Sequence, residues 1–496
     1  MNKEWRLLVA VSWLLFSSFA AAVDYEFETP RGPEGVKWPS APDLSQYTAD
    51  SLLKKRGQVC EGEANSSRSS VVRMLSLIEL YGLTDDRLID TWIQIQKRNP
   101  LVLSLGSGCF NLNTLASNHP NVVIKNTDGS FTSRLPVVLL KEAVLVLEKD
   151  TLKLSVNNGA FLSNSGKFIA IDSNIWGWNE ETNKPSYFEK REHFRPFYIA
   201  WGGSDTWMLR SNISYLGYQQ LKSYGVSFSQ YGVRIKGEKY PGGWLLDCEF
   251  ENNYFGIYTW EAQDLVVLRS KFSDSIVYGI DPHDYSHHLT IAYNEVSGTR
   301  ERHGLIFSRG VVDSYVIGNY LHNNGGSGLV MDRQASRNFI AGNVVSANNG
   351  DGFSFYESPD NFTINNVMQG NKRHGFLIRN SANTYSLNDT IQANGRAGMY
   401  VFTKKLDDPT RDYVLDDYVQ RVSLAAFNTK LHDNKTGVFL TGGNLEWMEI
   451  VNPDIKGPAS PLFRGSVNYL EHALTRKIFA DSRKMRIKKL DDVGAE

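Results

Sequence analysis

One short segment, residues 278–284 with the sequence YGIDPHD, contains the side chains best suited to chemistry. It places His283 between two carboxylates, Asp281 and Asp284, directly after Pro282, whose ring fixes its backbone φ. An imidazole accepts a proton near its reference pKa of about 6.5, and neighbouring carboxylates set its tautomer and basicity. A lone histidine is more often a surface or packing residue, but this pattern predicts a general base at His283.

Two arginines downstream of this segment are candidates to bind an anion. Arg309 and Arg333 lie between Asp284 and Glu357 in the order of the chain. A guanidinium holds a carboxylate through two parallel N–H bonds, so either arginine could bind the carboxylate of a ligand. The same order suits an ionic ladder, in which Asp284 pairs with Arg309 and Arg333 pairs with Glu357. The sequence leaves both interpretations open.

These residues lie inside a repeat that predicts the fold. A glycine followed by an apolar residue recurs every 23–25 residues, and short β-rich runs alternate with Asn/Gly turns between the glycines. The framework of leucine-rich repeats is missing, so stacked coils of a right-handed parallel β-helix fit this period better. The sequence therefore predicts an all-β solenoid. The repeat glycines are Gly256, Gly279, Gly304, Gly328, Gly352, Gly375 and Gly398.

Positions counted from each repeat glycine predict two faces of one sheet. Positions +1 and +3 are nearly all apolar and are predicted to face inward, which sends +2 and +4 outward to solvent. The outward positions include Tyr258, Trp260, Asp281 and His283, and position +5 is polar throughout. A long strip of such residues suits a polymer that lies across the coils, with Tyr258 and Trp260 as candidate binding residues.

The domain organisation follows from changes in pattern along the chain. Residues 1–22 read as a secretory signal peptide, with Lys and Arg ahead of an apolar run and an A-x-A site. Residues 23–100 are predicted to form a small helical N-terminal cap. Residues 101–455 are predicted to form the β-helix, with a charged loop inserted near 403–422. Residues 456–496 form a tail without a motif.

Composition limits the partners and cofactors. The 496 residues include 53 Lys and Arg and 54 Asp and Glu, a net charge of −1 that argues against nucleic acid. A polyanionic ligand would need a local basic groove. The histidines lack the spacing of a zinc site, and the calcium-binding nonapeptide is absent, so no metal is predicted. A Cys60–Cys109 disulfide is conceivable, but the sequence does not decide it.

The sequence resembles the periplasmic mannuronan C5-epimerases of bacterial alginate biosynthesis. The resemblance rests on YGIDPHD at 278–284, on SRG at 308–310 in the next repeat, and on the secreted repeat chain around them. It implies an isomerase that converts β-D-mannuronate to α-L-guluronate within the polymer, without an organic cofactor. It also implies a periplasmic location, polymannuronate as substrate and an alginate export complex as a candidate partner, with no membrane insertion after signal cleavage.

The resemblance also implies roles for individual residues. His283 would be the base, Arg309 would neutralise the sugar carboxylate, and water would be the acid on the opposite face of the ring. Tyr278, Asp281 and Asp284 match motif positions that support such a site.

Three further residues have two possible roles each. Asn319 and Asn324 match asparagines that matter in the family, but they also suit a ladder of stacked turn residues. Arg333 is either a second carboxylate-binding residue or a member of the ionic ladder.

The sequence is also compatible with two other functions. A polysaccharide lyase on the same fold would share the base and the neutraliser but needs a proton donor to O4, for which Tyr258, Tyr278 and Tyr356 are available. A non-catalytic carbohydrate-binding β-helix is the alternative from a different class. An epimerase leaves chain length unchanged, whereas a lyase produces unsaturated chain ends.

Overall fold

The computed structural model describes residues 25–60, 67–77, 80, 86–220, 222–230, 237–457 and 461–490. The predicted signal peptide, residues 1–22, lies outside the described residues. Within these ranges no helix is long and apolar enough to cross a membrane.

The described chain forms a parallel β-helix, as the repeat predicts. Each coil places one short strand in each of three sheets, and successive coils stack in register around one continuous apolar core. The strands pair in parallel along the body of each sheet, and antiparallel pairs occur at the ends and in one side hairpin. The three sheets are called sheet I, sheet II and sheet III below.

Sheet I contains residues 278–283 and the strands stacked on them. Its strands are β2 (Ser69–Arg73), β3 (Leu101–Leu105), β7 (Val137–Leu139), β10 (Leu162–Asn164), β14 (Tyr198–Trp201), β17 (Gly225–Ser229), β20 (Phe255–Trp260), β23 (Tyr278–His283), β26 (Leu305–Ser308), β29 (Leu329–Asp332), β32 (Phe353–Tyr356), β35 (Phe376–Arg379), β38 (Met399–Phe402), β41 (Phe439–Gly442) and β44 (Phe463–Gly465).

Sheet II joins the two ends of the described chain. Its strands are β1 (Tyr25–Glu28), β4 (Gly108–Phe110), β8 (Ala143–Glu148), β11 (Lys167–Ile171), β15 (Asp205–Leu209), β18 (Gly242–Leu246), β21 (Leu265–Leu268), β24 (Thr290–Ala292), β27 (Tyr315–Ile317), β30 (Phe339–Ala341), β33 (Phe362–Ile364), β36 (Thr384–Leu387), β39 (Val422–Phe427), β42 (Leu445–Val451) and β45 (Lys484–Lys489). The first strand, β1, pairs with the last, β45.

Sheet III completes each coil. Its strands are β5 (Val123–Lys125), β6 (Phe131–Ser133), β9 (Thr151–Ser155), β12 (Asn174–Asn179), β13 (Lys184–Pro185), β16 (Asn212–Ser214), β19 (Glu249–Glu251), β22 (Lys271–Ser273), β25 (Glu295–Ser297), β28 (Tyr320–His322), β31 (Val344–Ser346), β34 (Val367–Gln369), β37 (Thr390–Gln392), β40 (Lys430–His432) and β43 (Asp454–Lys456).

Helices lie outside the regular coils. They are α1 (Ala49–Gly57), α2 (Asp86–Gln96), α3 (Leu112–Asn118) and α4 (Glu471–Arg476) among the described residues. A disulfide joins Cys60, just after α1, to Cys109 in β4, with the two Cα atoms 5.9 Å apart. The third cysteine, Cys248, is buried.

The predicted inward columns form the core. Leu305, Leu329 and Phe353 at position +1 stack in register and are fully buried. Burying such a side chain stabilises the fold by about 1.5–3 kcal/mol relative to leaving it exposed. The repeat glycine precedes this column because a side chain has no room there: a Cβ on Gly279 would overlap the backbone oxygen of Gly304 in the next coil and the side chain of Val296 in sheet III.

Two asparagine ladders connect the coils inside the solenoid. The Asn319 side-chain oxygen accepts the backbone N–H of Asn294 at 3.0 Å, and that of Asn324 accepts the backbone N–H of Thr299 at 3.2 Å. Both asparagines are buried, so they satisfy backbone groups and do not face a ligand. The ladders contain Asn294, Asn319, Asn343, Asn366 and Asp389, and Asn324, Asn348, Asn371, Asn394 and Asn434.

Candidate active site

A left-handed turn at the end of each sheet I strand aligns the polar residues at position +5. In six successive coils this residue has φ between 42° and 52° although it is not glycine. Backbone hydrogen bonds hold the turn from coil to coil, for example from Glu261 N–H to the carbonyl of Asp284 at 2.8 Å. The side chains therefore form one row along the sheet. The row contains Glu261, Asp284, Arg309, Arg333, Glu357 and Asn380.

His283, Asp284 and Arg309 form one hydrogen-bonded chain. The Nδ1 of His283 bonds to Oδ2 of Asp284, and Nη1 of Arg309 donates to Oδ1 of Asp284 at 3.2 Å. Because an ionised carboxylate only accepts, Nδ1 carries the proton of the neutral imidazole and Nε2 has the lone pair. Asp284 is 1% exposed, whereas His283 is 28% exposed. The buried carboxylate thus orients an imidazole whose other nitrogen can act as a base.

The two motif aspartates act on the pKa of His283 in the same direction. Burial opposes the charged imidazolium, but the hydrogen bond to Asp284 and the charges of Asp281 and Asp284 outweigh it and raise the pKa of His283 above its ordinary value. Burial raises the pKa of Asp281 to about 7, and the charges of Asp284 and Asp332 add to that rise, while His283 opposes it. Oδ1 of Asp281 is buried without a hydrogen-bond partner among the described residues. The carboxylate beside the base therefore changes its charge near neutral pH.

The raised pKa of Asp281 predicts a pH-dependent stability effect. Since the pKa of Asp281 is about 7 in the folded chain and about 3.9 when unfolded, the unfolded chain ionises first as pH rises. Asp281 therefore destabilises the protein progressively between these pH values, by up to roughly 4 kcal/mol at pH 8. Asp281→Asn removes this term, so its melting temperature should rise relative to wild type from pH 5 to pH 8. A control at an exposed carboxylate, Asp433→Asn, should show no such trend, and a flat difference for Asp281→Asn would contradict the assignment.

The ionic ladder is present at Arg309 but not at Arg333. Arg309 bonds to Asp284 and also donates from Nη2 to Asp416 at 2.7 Å. Arg333 lies 3.4 Å from the same Asp416 and 3.6 Å from Asp332. Of the two interpretations for Arg333, the ladder pair with Glu357 is wrong, because Glu357 is bound instead by two other arginines. These are Arg379, at 2.8 and 3.0 Å, and Arg411, at 3.0 Å.

The aromatic candidates surround His283, but they are less exposed than predicted. The ring of Tyr258 lies 5.8 Å from that of His283, and Tyr278 stacks on His303 at 5.9 Å. Tyr258 and Asp281, both at position +2, are only 5% and 2% exposed, so the prediction that this column faces solvent is wrong. Trp260, at position +4, is partly exposed. Position +2 points out of the core, yet its side chains are buried along the sheet.

Three residues at the site were missed by the sequence reasoning. Lys222 donates to the Tyr258 hydroxyl at 3.2 Å and has its ammonium 3.1 Å from the centre of the Trp260 ring. Burial lowers the pKa of Lys222 to about 7. Burial likewise lowers the pKa of His303 to about 4, and its Nδ1 accepts the N–H of Ser327. The third residue is Asp416.

The missed residues had weak signals in the sequence. Lys222 and Asp416 come from irregular segments, so the repeat does not give their position. The surplus of charge near 403–422 was the one signal for Asp416.

Within the described ranges, no group of three or more His, Cys, Asp or Glu side chains is arranged to hold a metal ion.

Comparisons with known proteins agree with this geometry. Residues 285–406 match the family described as "Right handed beta helix region". The mannuronan C5-epimerase of Pseudomonas syringae pv. tomato is 37% identical over 416 residues, which cover 82% of this chain and 76% of that protein. The chain belongs to the mannuronan C5-epimerase family. A second member, mannuronan C5-epimerase AlgG of Azotobacter vinelandii, is 37% identical over 403 residues, or 80% of this chain and 76% of its own.

A solved structure supports membership in the mannuronan C5-epimerase family. A crystal structure of the periplasmic alginate epimerase AlgG superimposes with a TM-score of 0.78 at 34% identity, covering 87% of this chain and 99% of that chain. As a member of the mannuronan C5-epimerase family the protein is an isomerase, and the predicted right-handed parallel β-helix is confirmed.

Proposed function

We propose that this protein converts β-D-mannuronate to α-L-guluronate within polymeric alginate, with His283 as the base and Arg309 as the group that neutralises the sugar carboxylate. The observation that carries the proposal is the chain from His283 through Asp284 to Arg309. It supplies a proton acceptor and a cation on one face of sheet I. The names of the relatives support the reaction class and the polymer.

The chemistry requires both groups. The proton at C5 is weakly acidic because its removal places a second negative charge beside the carboxylate of the sugar. A guanidinium bound to that carboxylate stabilises the charge where it develops. Nε2 of His283 then accepts the proton, and Asp284 stabilises the imidazolium that forms. Water returns a proton to the opposite face of the ring, which inverts C5.

The residues around His283, Asp284 and Arg309 suit an anionic polymer. The protein as a whole is nearly neutral, yet Arg309 and Arg333 lie in successive coils and are partly exposed, whereas Arg379 and Arg411 are paired with Glu357. We propose that Arg333 contacts a neighbouring uronate, that Trp260 contacts a sugar ring, and that Tyr258, Tyr278 and Asp281 position His283. We place the reaction in the periplasm, where an alginate export complex would supply the polymer.

A product analysis tests the reaction class. Incubation of purified protein with polymannuronate should give guluronate signals in the NMR spectrum, with unchanged chain length and no ultraviolet absorbance from unsaturated ends. Burial raises the pKa of Tyr258, Tyr278 and Tyr356, which weakens these hydroxyls as proton donors to O4. Shortened, absorbing chains would show a lyase instead.

A further inference from the structure

A segment inserted between two strands of the solenoid reaches the proposed carboxylate-binding arginine. Residues 403–421 connect β38 in sheet I to β39 in sheet II, and they extend back over the coils of Arg309 and Arg333. The carboxylate of Asp416 lies between the two guanidiniums, 2.7 Å from Arg309 Nη2 and 3.4 Å from Arg333 Nη1. An acidic side chain of the protein thus occupies a place that suits the carboxylate of a uronate.

The segment, here called the strap (residues 403–421), is held mainly by polar contacts: its two ends bond to Asn380 and Glu446. Gln334 donates to the carbonyl of Asp417 at 2.9 Å, and Arg411 donates to the carbonyl of Asp416 at 2.9 Å and to Glu357 at 3.0 Å. Val414 and Leu415, beside the buried Asp416, are 89% and 66% exposed. Polar contacts therefore keep the tip of the strap in place, since Val414 and Leu415 bury little apolar surface.

The contact with Arg309 is incompletely bonded. Nε and Nη2 form one edge of a guanidinium, the edge that can bind both oxygens of a carboxylate. Here Asp416 uses only Nη2, and both Nε of Arg309 and Oδ1 of Asp416 are buried without a hydrogen-bond partner in the described part of the chain. Unsatisfied buried groups are unfavourable, so a ligand carboxylate that bonds to both Nε and Nη2 would form the better pair.

The charges around Arg309 also favour replacement of Asp416 by a ligand carboxylate. Arg309 contacts two carboxylates, Asp284 and Asp416, each 1% exposed. With both in place the positive charge of the guanidinium is already compensated, and little of it is left for charge that develops on a sugar. Asp284 must stay because it orients His283, whereas Asp416 belongs to an inserted segment whose neighbouring residues Val414 and Leu415 are exposed.

We propose that Asp416 competes with the carboxylate of the substrate for Arg309, and that the strap is displaced when a uronate binds. This inference rests on the proposed function. It makes Asp416 a determinant of substrate selection, since a neutral sugar cannot replace the lost ion pair, whereas a uronate can.

Kinetics of Asp416→Asn test the proposal. The amide keeps the shape of the side chain but removes the competing charge, so KM for polymannuronate should fall about tenfold while kcat changes by less than about threefold. Asp417→Asn is the matched control, because it removes the same charge from an exposed neighbour; its KM should stay within about twofold of wild type. If Asp416 instead serves to position Arg309, Asp416→Asn will lower kcat without lowering KM, and the proposal is wrong.

Hydrogen–deuterium exchange tests displacement in a chain that keeps Asp416. In the His283→Ala variant, which should bind polymannuronate but turn it over slowly, saturating polymannuronate should speed exchange of peptides covering 412–417 by at least about threefold. Peptides from the inner coils should not change. Slower or unchanged exchange of 412–417 in the bound protein would overturn the strap proposal even if wild type epimerises the polymer. Absence of both binding and epimerisation would overturn the proposed function and this inference with it.

Discussion

Replacing His283 with alanine is expected to lower the rate of proton exchange at C5 by roughly 10²–10⁴-fold, the usual contribution of a positioned general base. The imidazole is partly exposed and its hydrogen bond to Asp284 is its main polar contact, so the fold should persist. The rate is measured by proton NMR of polymannuronate, and folding by circular dichroism. His288→Ala, at an exposed histidine five residues away, is the matched control and should keep the wild-type rate.

Two measurements on variants test whether His283 is the base. A His283→Ala variant that is folded and keeps more than about a tenth of the wild-type rate would contradict this assignment. Asp284→Asn gives a second check, because loss of the carboxylate removes the tautomer control and lowers the pKa of His283. The acid limb of the rate profile should then move to lower pH, since the base is active only when neutral.

Arg309→Lys is expected to cost most of the rate, about 10–100-fold, although the positive charge is kept. A lysine offers one ammonium in place of two parallel donors, so it cannot bind both oxygens of a carboxylate as charge builds. Arg337→Lys is the matched control: Arg337 makes a two-bond pair with the exposed Asp313 away from the site, and this change should leave activity unaltered.

Stability adds information at Arg309. If Arg309 formed an exposed ion pair, Arg309→Lys would hardly change the free energy of unfolding. Both partner carboxylates, however, are 1% exposed. Weakening their hydrogen bonds should therefore cost about 1–3 kcal/mol, against about 0–1 kcal/mol for the exposed pair at Arg337. Melting temperatures of both variants measure the difference. Near-normal C5 exchange in Arg309→Lys would move the carboxylate contact to Arg333.

The sequence predicts the solenoid well because its signals are local. Each coil repeats a glycine, an apolar column and stacked turn asparagines, and each of these acts between adjacent coils. The pairing of Leu305 with Leu329 and of Ser308 with Asp332 follows directly from counting positions after the glycine. The same counting places His283 beside Trp260.

The sequence could not predict contacts that depend on irregular segments. Between β23 and β26 the one pair in register is Ile280 with Leu305, because that coil has a longer turn. The sequence therefore suggests the Asp284–Arg309 pair as one of two interpretations but does not fix it, and the structure contains it. Asp416 and Arg411 reach the site from an insertion without a repeat, and their charges explain why Arg333 and Glu357 do not pair. Asn319 and Asn324 match asparagines that matter in the family, but they lie in the buried ladders. The residue type alone does not distinguish an asparagine in a buried turn from one that lines a groove.

Polymannuronate incubated with the protein in deuterated water, followed by proton NMR, is the most direct test of the central claim that His283 and Arg309 invert C5. The guluronate residues should carry deuterium at C5, because the returned proton comes from solvent on the face opposite the base. His283→Ala should form them roughly 10²–10⁴-fold more slowly. Guluronate that keeps protium at C5, or product from the alanine variant at the wild-type rate, would contradict this claim.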